Sequence, residues 1–397
     1  MTGLPTFDDA LDRVLERITP LAAERVAIGE AAGRVLVETA RAQVDLPPFH
    51  SSAMDGYAIR STDTPGQLRL SARIAAGSPS ARSLERGEAM GIATGGVVPE
   101  GADAVVPLER VAASDDSVTI EAPVPVGANV RPQGGDVRAG EVVARAGVRL
   151  DGPLAGALAA SGVAEVLCGR QPHVAIVATG SELQRPGTPL APGHVYESNG
   201  VMLAAMLRAA GAVVDDALVV ADDRDGHRRA LEEGLERDVL VTSGGVSVGP
   251  HDLVREVGGE LGMEQVFWGV SIRPGKPVFF AVRDRTLVFG LPGNPVSSLV
   301  GCRLLVEPAV LALQGAADPR PAFRPGRLGT EVERNRQRDE LLRARIDVEP
   351  DGVVLVPLDV QESHTIVRSA SADALVLIRA GEGVVGAGTP VSYLPLR

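Results

Sequence analysis

The chain has 397 residues, of which 45% are hydrophobic and 3% aromatic, and its formal net charge is −12. Single hydrophobic cores stop growing near about 250–300 residues, so we expect two to four structural units. The apolar content excludes a disordered chain. There is no basic stripe, which argues against a nucleic-acid partner because phosphate contacts supply most of such affinity.

Cysteine use and the N-terminus bear on the cellular setting. Cys168 and Cys302 are far apart and are not a disulfide framework. No Cys or His pair has zinc-ligand spacing, and we expect none of the six histidines to be catalytic. The first ten residues include Asp8 and Asp9 and no apolar segment, unlike a signal peptide. No apolar run reaches the ~20 residues that span a bilayer. We expect a soluble, cytoplasmic protein without membrane association.

In chain order, the first predicted elements are helices. Between residues 6 and 34 apolar side chains recur at helical spacing, with a second helical stretch from Pro20 through Val26. Residues 47–146 show short apolar runs broken by glycine, proline, aspartate and serine, which indicates a β-rich unit. Residues 150–162 return to the helical pattern. We therefore expect the β-rich unit to be inserted into a helical arm.

From residue 173 onward, strands alternate with helices. The predicted strands are 173–177, 213–220, 238–241 and 286–289, and the predicted helices are 199–211, 225–236 and 295–305. This alternation predicts a doubly wound parallel sheet, which binds ligands beyond the carboxyl ends of its strands. After about residue 320, short strands between turns predict a small terminal barrel or sandwich.

The run VLVTSGGVSVG carries the first candidate site. An apolar strand leads directly into Gly244 and Gly245, where the backbone can approach an oxyanion closely, and Ser243 adds a hydroxyl. Asp252 follows at a predicted helix start and could hold Mg²⁺ on a phosphate. The alternative is an ordinary strand-to-helix turn with Asp252 as its N-cap.

Two more turns have similar chemistry. LVFGLPGNPVSS ends a strand at a rigid turn and places Ser297 in the first helical turn, where unpaired N–H groups collect. The alternative is ordinary capping by Asn294. SIRPGKP holds Arg273 and Lys276 on a stiff loop, and paired cations suit a compact oxyanion. The alternative there is a solvated turn.

Three polar loops complete the candidate set. TGSE ends the first α/β strand and places Glu182 at the same sheet edge as Asp252. In the β-rich unit, HSSAMDGYA contains Asp55, and RPQGGD contains Arg131 and Asp136. By pattern alone, the loops of the β-rich unit would be surface loops.

Together these segments resemble the MoeA family of molybdopterin molybdenumtransferases, which includes the E domain of gephyrin and its plant counterpart. SAMDGYA, PEGADAVV, GANVRPQGGD, TGSEL, TSGGVSVG, RPGKP and LPGNPVS occur in family order and cover nearly the whole chain. The resemblance implies a multidomain α/β plus β fold. We place a helical arm at 1–46 and 147–172, an inserted β-rich domain at 47–146, an α/β molybdopterin-binding domain at 173–320 and a C-terminal β-barrel at 321–397.

The resemblance also implies a reaction and its participants. Adenylylated molybdopterin and molybdate are the substrates, molybdenum is inserted between the dithiolene sulfurs, AMP is released, and Mg²⁺ assists. The family implies a homodimer whose active cleft is shared between subunits. A molybdopterin adenylyltransferase is the implied partner enzyme.

The resemblance assigns roles by position. The catalytic residues are Asp55, Thr94, Arg131, Asp136, Glu182 and Asp252. The residues implied to bind the pterin substrate and molybdate are Thr242, Ser243, Gly244, Gly245, Ser247, Gly249, Asp222, Arg273, Lys276, Pro277, Pro292 and Ser297. Glu182 and Asp252 are the implied metal ligands.

The sequence departs from the family pattern at two positions, and two other functions remain as alternatives at this point. Gly269 stands where relatives often carry a basic residue, and Gly135 where glutamate is frequent, so the choice between molybdate and tungstate is undecided. One alternative is a molybdopterin adenylyltransferase, which the flanking β domains disfavour. The other is a non-enzymatic scaffold, which the retained Glu182, Asp252 and RPGKP loop disfavour.

Overall fold

The computed structural model describes residues 3–245 and 253–396. The first helix, Phe7–Leu15, begins at a capping box in which the Thr6 hydroxyl and the Asp9 backbone and carboxylate bond reciprocally. This helix buries Phe7 and Leu11 in the core of the central domain. The first predicted helix is therefore confirmed, but it packs on the central domain and not on an arm of its own.

The helix predicted from Pro20 through Val26 is wrong. Residues Ala23–Ala27 form a strand that pairs antiparallel with Glu165–Gly169, with Val26 opposite Val166. This long-range pairing overrides the weak local helical preference. Helix Gly152–Ala160 packs on the pair and completes a small core. The chain segments before and after residues 47–146 thus pack together into one unit, as expected for the arm, although this unit is only partly helical.

The inserted unit contains a six-stranded sheet. In spatial order its strands are Ala104–Pro107, Gly56–Ile59, Glu88–Ile92, Gly66–Ile74, Ser117–Ile120 and Ala112–Ala113. Short pairs flank it, formed by Ser51–Ser52 with Val130–Arg131 and by Ala40–Arg41 with Val142–Ala144. Its two faces bury separate apolar clusters. The prediction of a β-rich insertion is confirmed.

The central domain contains a seven-stranded sheet. Its strands in order are Val213–Val214, His173–Thr179, Val239–Ser243, Thr286–Leu291, Phe279–Arg283 and Glu264–Trp268, with Leu218–Val220 also beside His173–Thr179. The last two pairings in this order are antiparallel, because Phe279–Arg283 runs opposite to both of its neighbours. The sheet is therefore mixed, and the prediction of a parallel sheet was wrong at this edge. Only Asp284 and Arg285 separate two of these strands, and so short a connection permits only antiparallel pairing.

Helices cover both faces of this sheet, which confirms the doubly wound arrangement. Along one strand Val174 and Ile176 point into one core, while Ala175 and Val177 point into the other. The first core is covered by helices Phe7–Leu15, Asn199–Ala209, Pro295–Gly301 and Glu307–Leu313, and the second by Arg224–Gly234 and Leu253–Glu260. Burial on both faces explains why these strands are continuous apolar runs.

One long helical stretch runs from Pro295 to Leu313. A π-helical turn, Cys302–Val306, interrupts it ahead of Pro308, whose missing N–H cannot continue the regular ladder. Within the described chain, this is the single helix long and apolar enough to cross a membrane, and 78% of its apolar window is buried inside the protein. It is therefore built as a core helix of the central domain.

The C-terminal unit is a closed barrel. Its strands are Asp339–Glu349, Gly352–Pro357, Arg324–Leu328, Pro390–Pro395 and Ala374–Ile378, and the first also pairs with the last. The barrel predicted from the resemblance is confirmed. A two-residue strand of the central domain, Ile272–Arg273, joins the barrel beside Asp339–Glu349 and so connects the two units. The exact domain boundaries stay predictions.

Candidate active site

The candidate residues of the central domain lie in turns that follow its parallel strands. His173–Thr179, Val239–Ser243 and Thr286–Leu291 are neighbours in the sheet and run in the same direction. Their carboxyl ends therefore meet at one edge, which is where open α/β sheets bind ligands. We name these turns the TGSE loop (residues 179–182), the TSGG turn (242–245) and the PGNP turn (292–295).

The TSGG turn needs glycine at both positions. Gly244 has φ +95° and Gly245 has φ +64°, and a Cβ on Gly244 would lie 2.6 Å from the carbonyl oxygen of Thr179. The Gly244 N–H donates to the carbonyl of Leu291 at 3.0 Å, which fixes the turn against the neighbouring strand. The glycines are thus required by backbone packing on backbone, whereas the predicted close approach to an oxyanion stays a prediction. Ser247, Gly249 and Asp252 lie outside the described residues.

Glu182 and Asp222 come together on adjoining loops. The Ser181 N–H donates to Asp222 Oδ2 at 3.1 Å, and the Asp222 N–H donates to Ser181 Oγ at 3.0 Å. The Glu182 side chain folds back over Gly180, with Oε2 2.6 Å from the position that a Cβ there would occupy. Both carboxylates are exposed at the ligand edge. The expectation that Glu182 faces this edge therefore agrees with the structure.

Asn199 was predicted only as part of a helix, yet it joins two of the turns. Its Nδ2 donates to Ser243 Oγ and to the carbonyl of Gly293, both at 2.8 Å. Ser243 Oγ also lies 3.4 Å from Ser298 Oγ. The buried Asn199 amide therefore sets the spacing between the TSGG and PGNP turns. An asparagine at a helix start resembles an ordinary cap in sequence, so no local signal revealed this role.

The PGNP turn is tied to the barrel. Asn294 does not cap the following helix with its side chain; its Nδ2 donates to Ser363 Oγ at 3.0 Å, and the Val296 N–H donates to the Ser363 carbonyl at 3.0 Å. Asn294 therefore occupies the N-cap position, as the capping alternative had it, but without the side-chain hydrogen bond of an ordinary cap. Ser297 is only 4% exposed, and Pro292 accepts a hydrogen bond from the Ser298 hydroxyl. Ser363 is a neighbour of the site that sequence reasoning left unassigned.

The RPGKP turn (residues 273–277) packs on the same helix start. A Cβ on Gly275, which has φ +109°, would lie 3.7 Å from the Ser297 carbonyl oxygen. Arg273 Nη1 forms a 3.0 Å ion pair with Glu340 of the barrel, whose carboxylate is almost buried. Both predicted cations thus lie on one short turn, but Glu340 partly neutralises the charge of Arg273. Lys276 is exposed and has no ion-pair partner in the described part of the chain.

Lys276 is also the only lysine in the sequence, and the other 38 of the 39 basic residues are arginines. An ammonium is a compact, strongly hydrated point charge, whereas a guanidinium is a broad planar fork. The RPGKP turn therefore carries a cation that differs in shape and hydration from every other basic side chain of the sequence. Pro277, which follows it, stiffens the turn from the other side.

The structure gives a reason for the glycine at position 269. Gly269 has φ +88°, and a Cβ there would lie 2.8 Å from Leu4 Cδ2. A basic side chain at this position would need a left-handed backbone and a displaced N-terminal segment. The positive φ therefore disfavours any side chain at this position, whereas the exposed Leu4 tip could move aside. Gly135 is similarly tight, because its Cβ would lie 3.0 Å from the carbonyl oxygen of Pro132.

In the inserted unit, Asp55, Thr94 and Arg131 lie around one small sheet edge. Asp55 Oδ1 accepts the Thr94 N–H at 2.8 Å, and Arg131 lies on the strand that pairs with Ser51–Ser52. The Asp136 N–H donates to the carbonyl of Leu46 at 2.9 Å. Among the described residues, no hydrogen bond or ion pair joins this group to the turns of the central domain.

Asp45 was missed by sequence reasoning and organises the RPQGGD loop. Its carboxylate accepts the Ala139 N–H at 2.9 Å and the Gln133 side-chain amide at 2.8 Å. These hydrogen bonds, the Ala139 one foremost, hold the pKa of Asp45 below its ordinary value. The residue precedes the motif and carries no pattern of its own, so only the fold reveals that it belongs to this loop.

The carboxylates fit a loosely held magnesium ion and not a closed protein cage. The described residues contain no group of three or more His, Cys, Asp or Glu side chains placed to hold a metal. Magnesium prefers oxygen ligands and usually keeps waters, with one or two carboxylates plus substrate phosphates. Glu182 and Asp222 supply that kind of donor set. Asp252, the second predicted ligand, lies outside the described residues.

A cavity of about 670 Å³ lies away from all these turns. It is lined by the second half of helix Asn199–Ala209, by Arg303 and Glu307 of the long helical stretch and by the linker that leads to the barrel. None of the predicted site residues lines it. The cavity is therefore separate from the candidate site.

Three known protein families match successive regions of this chain. Residues 5–162 match the MoeA N-terminal region (domain I and II), residues 175–312 match a probable molybdopterin binding domain, and residues 325–396 match the MoeA C-terminal region (domain IV). Together these matches cover the inserted unit, the central sheet and the barrel described above.

Whole-length relatives agree with these regional matches. A molybdopterin molybdenumtransferase of Staphylococcus epidermidis is 31% identical, and one of Staphylococcus aureus is 32% identical, each alignment covering 97% of this chain and 94% of the relative. A crystal structure of a molybdopterin biosynthesis MoeA protein from Pyrococcus horikosii is 30% identical with a TM-score of 0.79, and it covers 100% of both chains. The chain therefore belongs to the molybdopterin molybdenumtransferase family, whose members are transferases of molybdenum cofactor biosynthesis.

Proposed function

We propose that this protein inserts molybdenum from molybdate into adenylylated molybdopterin, with release of AMP. The observation that carries the proposal is the meeting of three kinds of group at one sheet edge. These are a left-handed glycine turn at the carboxyl end of a parallel strand, the exposed carboxylates of Glu182 and Asp222, and a stiff loop bearing Lys276. A phosphoanhydride, a divalent cation and a compact dianion need these groups respectively.

The residues of the chain would share the work as follows. The TSGG turn holds the phosphate-bearing substrate through close backbone approach. Lys276, assisted by Arg273 and the helix start at Ser297, offsets the repulsion between molybdate and the phosphoanhydride. Glu182, Asp222 and Asp252 would hold Mg²⁺. When bound, the ion polarises the phosphoanhydride for cleavage.

The proposed assembly is a homodimer in which Asp55, Thr94, Arg131 and Asp136 complete the cleft of the partner. Support comes from the single chain, where this group makes no bond to the central turns among the described residues. A molybdopterin adenylyltransferase is the proposed supplier of substrate, and a cytoplasmic location goes with that pathway of soluble intermediates.

Single-turnover conversion of adenylylated molybdopterin with Mg²⁺ tests this function, with molybdate and tungstate in parallel. We expect AMP release that depends on the oxyanion and is lost in Glu182→Ala. Because Lys276 is the sole lysine, amine-selective labelling followed by peptide mapping, which separates it from the α-amino group, reports its protection by the bound oxyanion. AMP release independent of either oxyanion would contradict the proposal.

Two other functions predict different outcomes of the same assays. A molybdopterin adenylyltransferase would form adenylylated product from ATP and molybdopterin, which we do not expect. A non-enzymatic scaffold would bind substrate without AMP release, and Asp252→Ala would leave cofactor synthesis intact. We expect that substitution to abolish synthesis.

A further inference from the structure

A buried histidine, His227, lies directly behind the TSGG turn. It belongs to helix Arg224–Gly234 and is only 1% exposed. Its Nε2 lies 3.7 Å from the position that a Cβ of Gly245 would occupy, and Thr179 Oγ1 and Val254 Cγ2 lie 3.1 and 3.0 Å from the same point. The imidazole therefore forms part of the back wall of the turn.

The hydrogen bond of the other ring nitrogen fixes the tautomer of His227. Nδ1 lies 2.9 Å from the carbonyl oxygen of Asp223. A carbonyl only accepts, so the neutral ring carries its proton on Nδ1 and presents Nε2 as a bare acceptor. Nε2 is buried and has no partner within residues 3–245 and 253–396. Its missing partner must be an N–H or O–H donor, which an ionised phosphate oxygen cannot supply.

Two more unpartnered atoms surround the same turn. Thr242 Oγ1 and Asn199 Oδ1 are both buried without a hydrogen bond in the described part of the chain. Three of the eight such side-chain atoms therefore concentrate around residues 242–245. Buried polar atoms are usually paired, and an apolar side chain would fill the space behind Gly245 without leaving an acceptor unsatisfied. These unpaired atoms lower the stability of the empty protein, so we look for a functional explanation of their presence.

We propose that His227 is a positioning residue for the substrate-binding turn, whose Nε2 receives its donor only when the pterin substrate is bound. This rests on the proposed function of the site. In the empty protein the unpaired acceptor destabilises the turn. In the loaded protein an N–H donor of the pterin substrate satisfies it. Binding is thereby coupled to the geometry of Gly244 and Gly245.

The test measures how much adenylylated molybdopterin stabilises the full-length wild type and His227→Leu. Leucine fills the space but carries no acceptor. We expect the empty variant to melt no lower than the wild type, its ligand-induced rise in Tm to be smaller, and its Kd to be about tenfold weaker, which corresponds to about 1.4 kcal/mol. His227→Gln, which can present an acceptor oxygen, should recover part of that affinity.

A matched control and a separate assay keep the outcomes distinct. Gln314→Leu removes another unpartnered buried oxygen, but one that packs on Gly211 and not on the turn, so its ligand-induced rise should match the wild type. An equal rise in His227→Leu and the wild type overturns the proposal and leaves His227 a plain core residue. A wild type that binds but releases no AMP contradicts the proposed function, while the His227 comparison can still be read.

Discussion

At the residue scale, the sole lysine of the chain allows us to test whether the shape of its cation affects molybdate binding. Lys276→Arg keeps the charge but replaces a compact ammonium with a planar fork on a loop stiffened by Pro274 and Pro277. We expect the KM for molybdate to rise at least about tenfold, with Tm unchanged because the side chain is exposed. Arg285→Lys, also exposed, is the control. A wild-type KM in Lys276→Arg would show that only charge matters at this position.

A second prediction at this scale concerns the TSGG turn. Gly244→Ala must adopt φ near +95° and place its Cβ 2.6 Å from the Thr179 carbonyl oxygen. We expect a loss of more than about 2 kcal/mol in the free energy of unfolding, from left-handed strain plus the clash. Gly140→Ala has a similar positive φ with nothing within 4 Å, so it should lose only about 1 kcal/mol. Chemical denaturation of both variants compares them, and equal losses would rule out the clash.

At the scale of the element, the strand Glu88–Ile92 depends on one carboxylate. Glu88 is 3% exposed and pairs with Arg69 and Arg82. Burial alone would raise the pKa of Glu88, but the Glu85 N–H and the two arginines outweigh it and hold the pKa below its ordinary value. A depressed pKa means that this stabilisation is present above the unfolded-state pKa, about 4.5, and is lost as pH falls through the lower folded value.

Glu88→Gln should therefore destabilise the inserted unit by about 1–3 kcal/mol at pH 7. The Tm difference from the wild type should shrink as pH falls below about 4.5, because the wild-type carboxyl then protonates. Thermal unfolding across that range measures it. The control is Glu109→Gln, which removes an exposed carboxyl of the same unit. Its Tm should equal that of the wild type across the same pH range. A pH-independent difference for Glu88→Gln would argue against the ion pairs.

Also at this scale, element type was predictable where local pattern and tertiary context agree. The short apolar runs that predicted a β-rich unit over residues 47–146 include the strands Glu88–Ile92, Ala104–Pro107 and Ser117–Ile120. Ala23–Ala27 was misjudged because its strand state depends on pairing with Glu165–Gly169, some 140 residues along the chain. The antiparallel edge of the central sheet was missed for a different reason: the two-residue connection at Asp284 and Arg285 is a local hairpin, which the alternation of strands and helices does not reveal.

At the scale of the whole molecule, the proposed shared cleft predicts complementation. Asp55→Ala and Glu182→Ala should each abolish AMP release in a homodimer. Refolding or co-expressing them in equal amounts makes half the dimers mixed, each with one intact cleft, so we expect about a quarter of wild-type activity. A cleft completed within one chain would give no recovery. Light scattering of the purified protein checks the dimer independently.

The sequence by itself determined the family, the order of the units and the turns in which the candidate site residues lie. It could do so because glycine, proline and short polar motifs encode backbone geometry locally, and their order along the chain is specific. The tertiary structure alone decided which side chains meet: the Asn199 amide between two turns, the Glu340 carboxylate on Arg273, and His227 behind Gly245. Such contacts join residues distant in sequence, and no local pattern encodes them because they depend on how the sheet, helices and barrel pack.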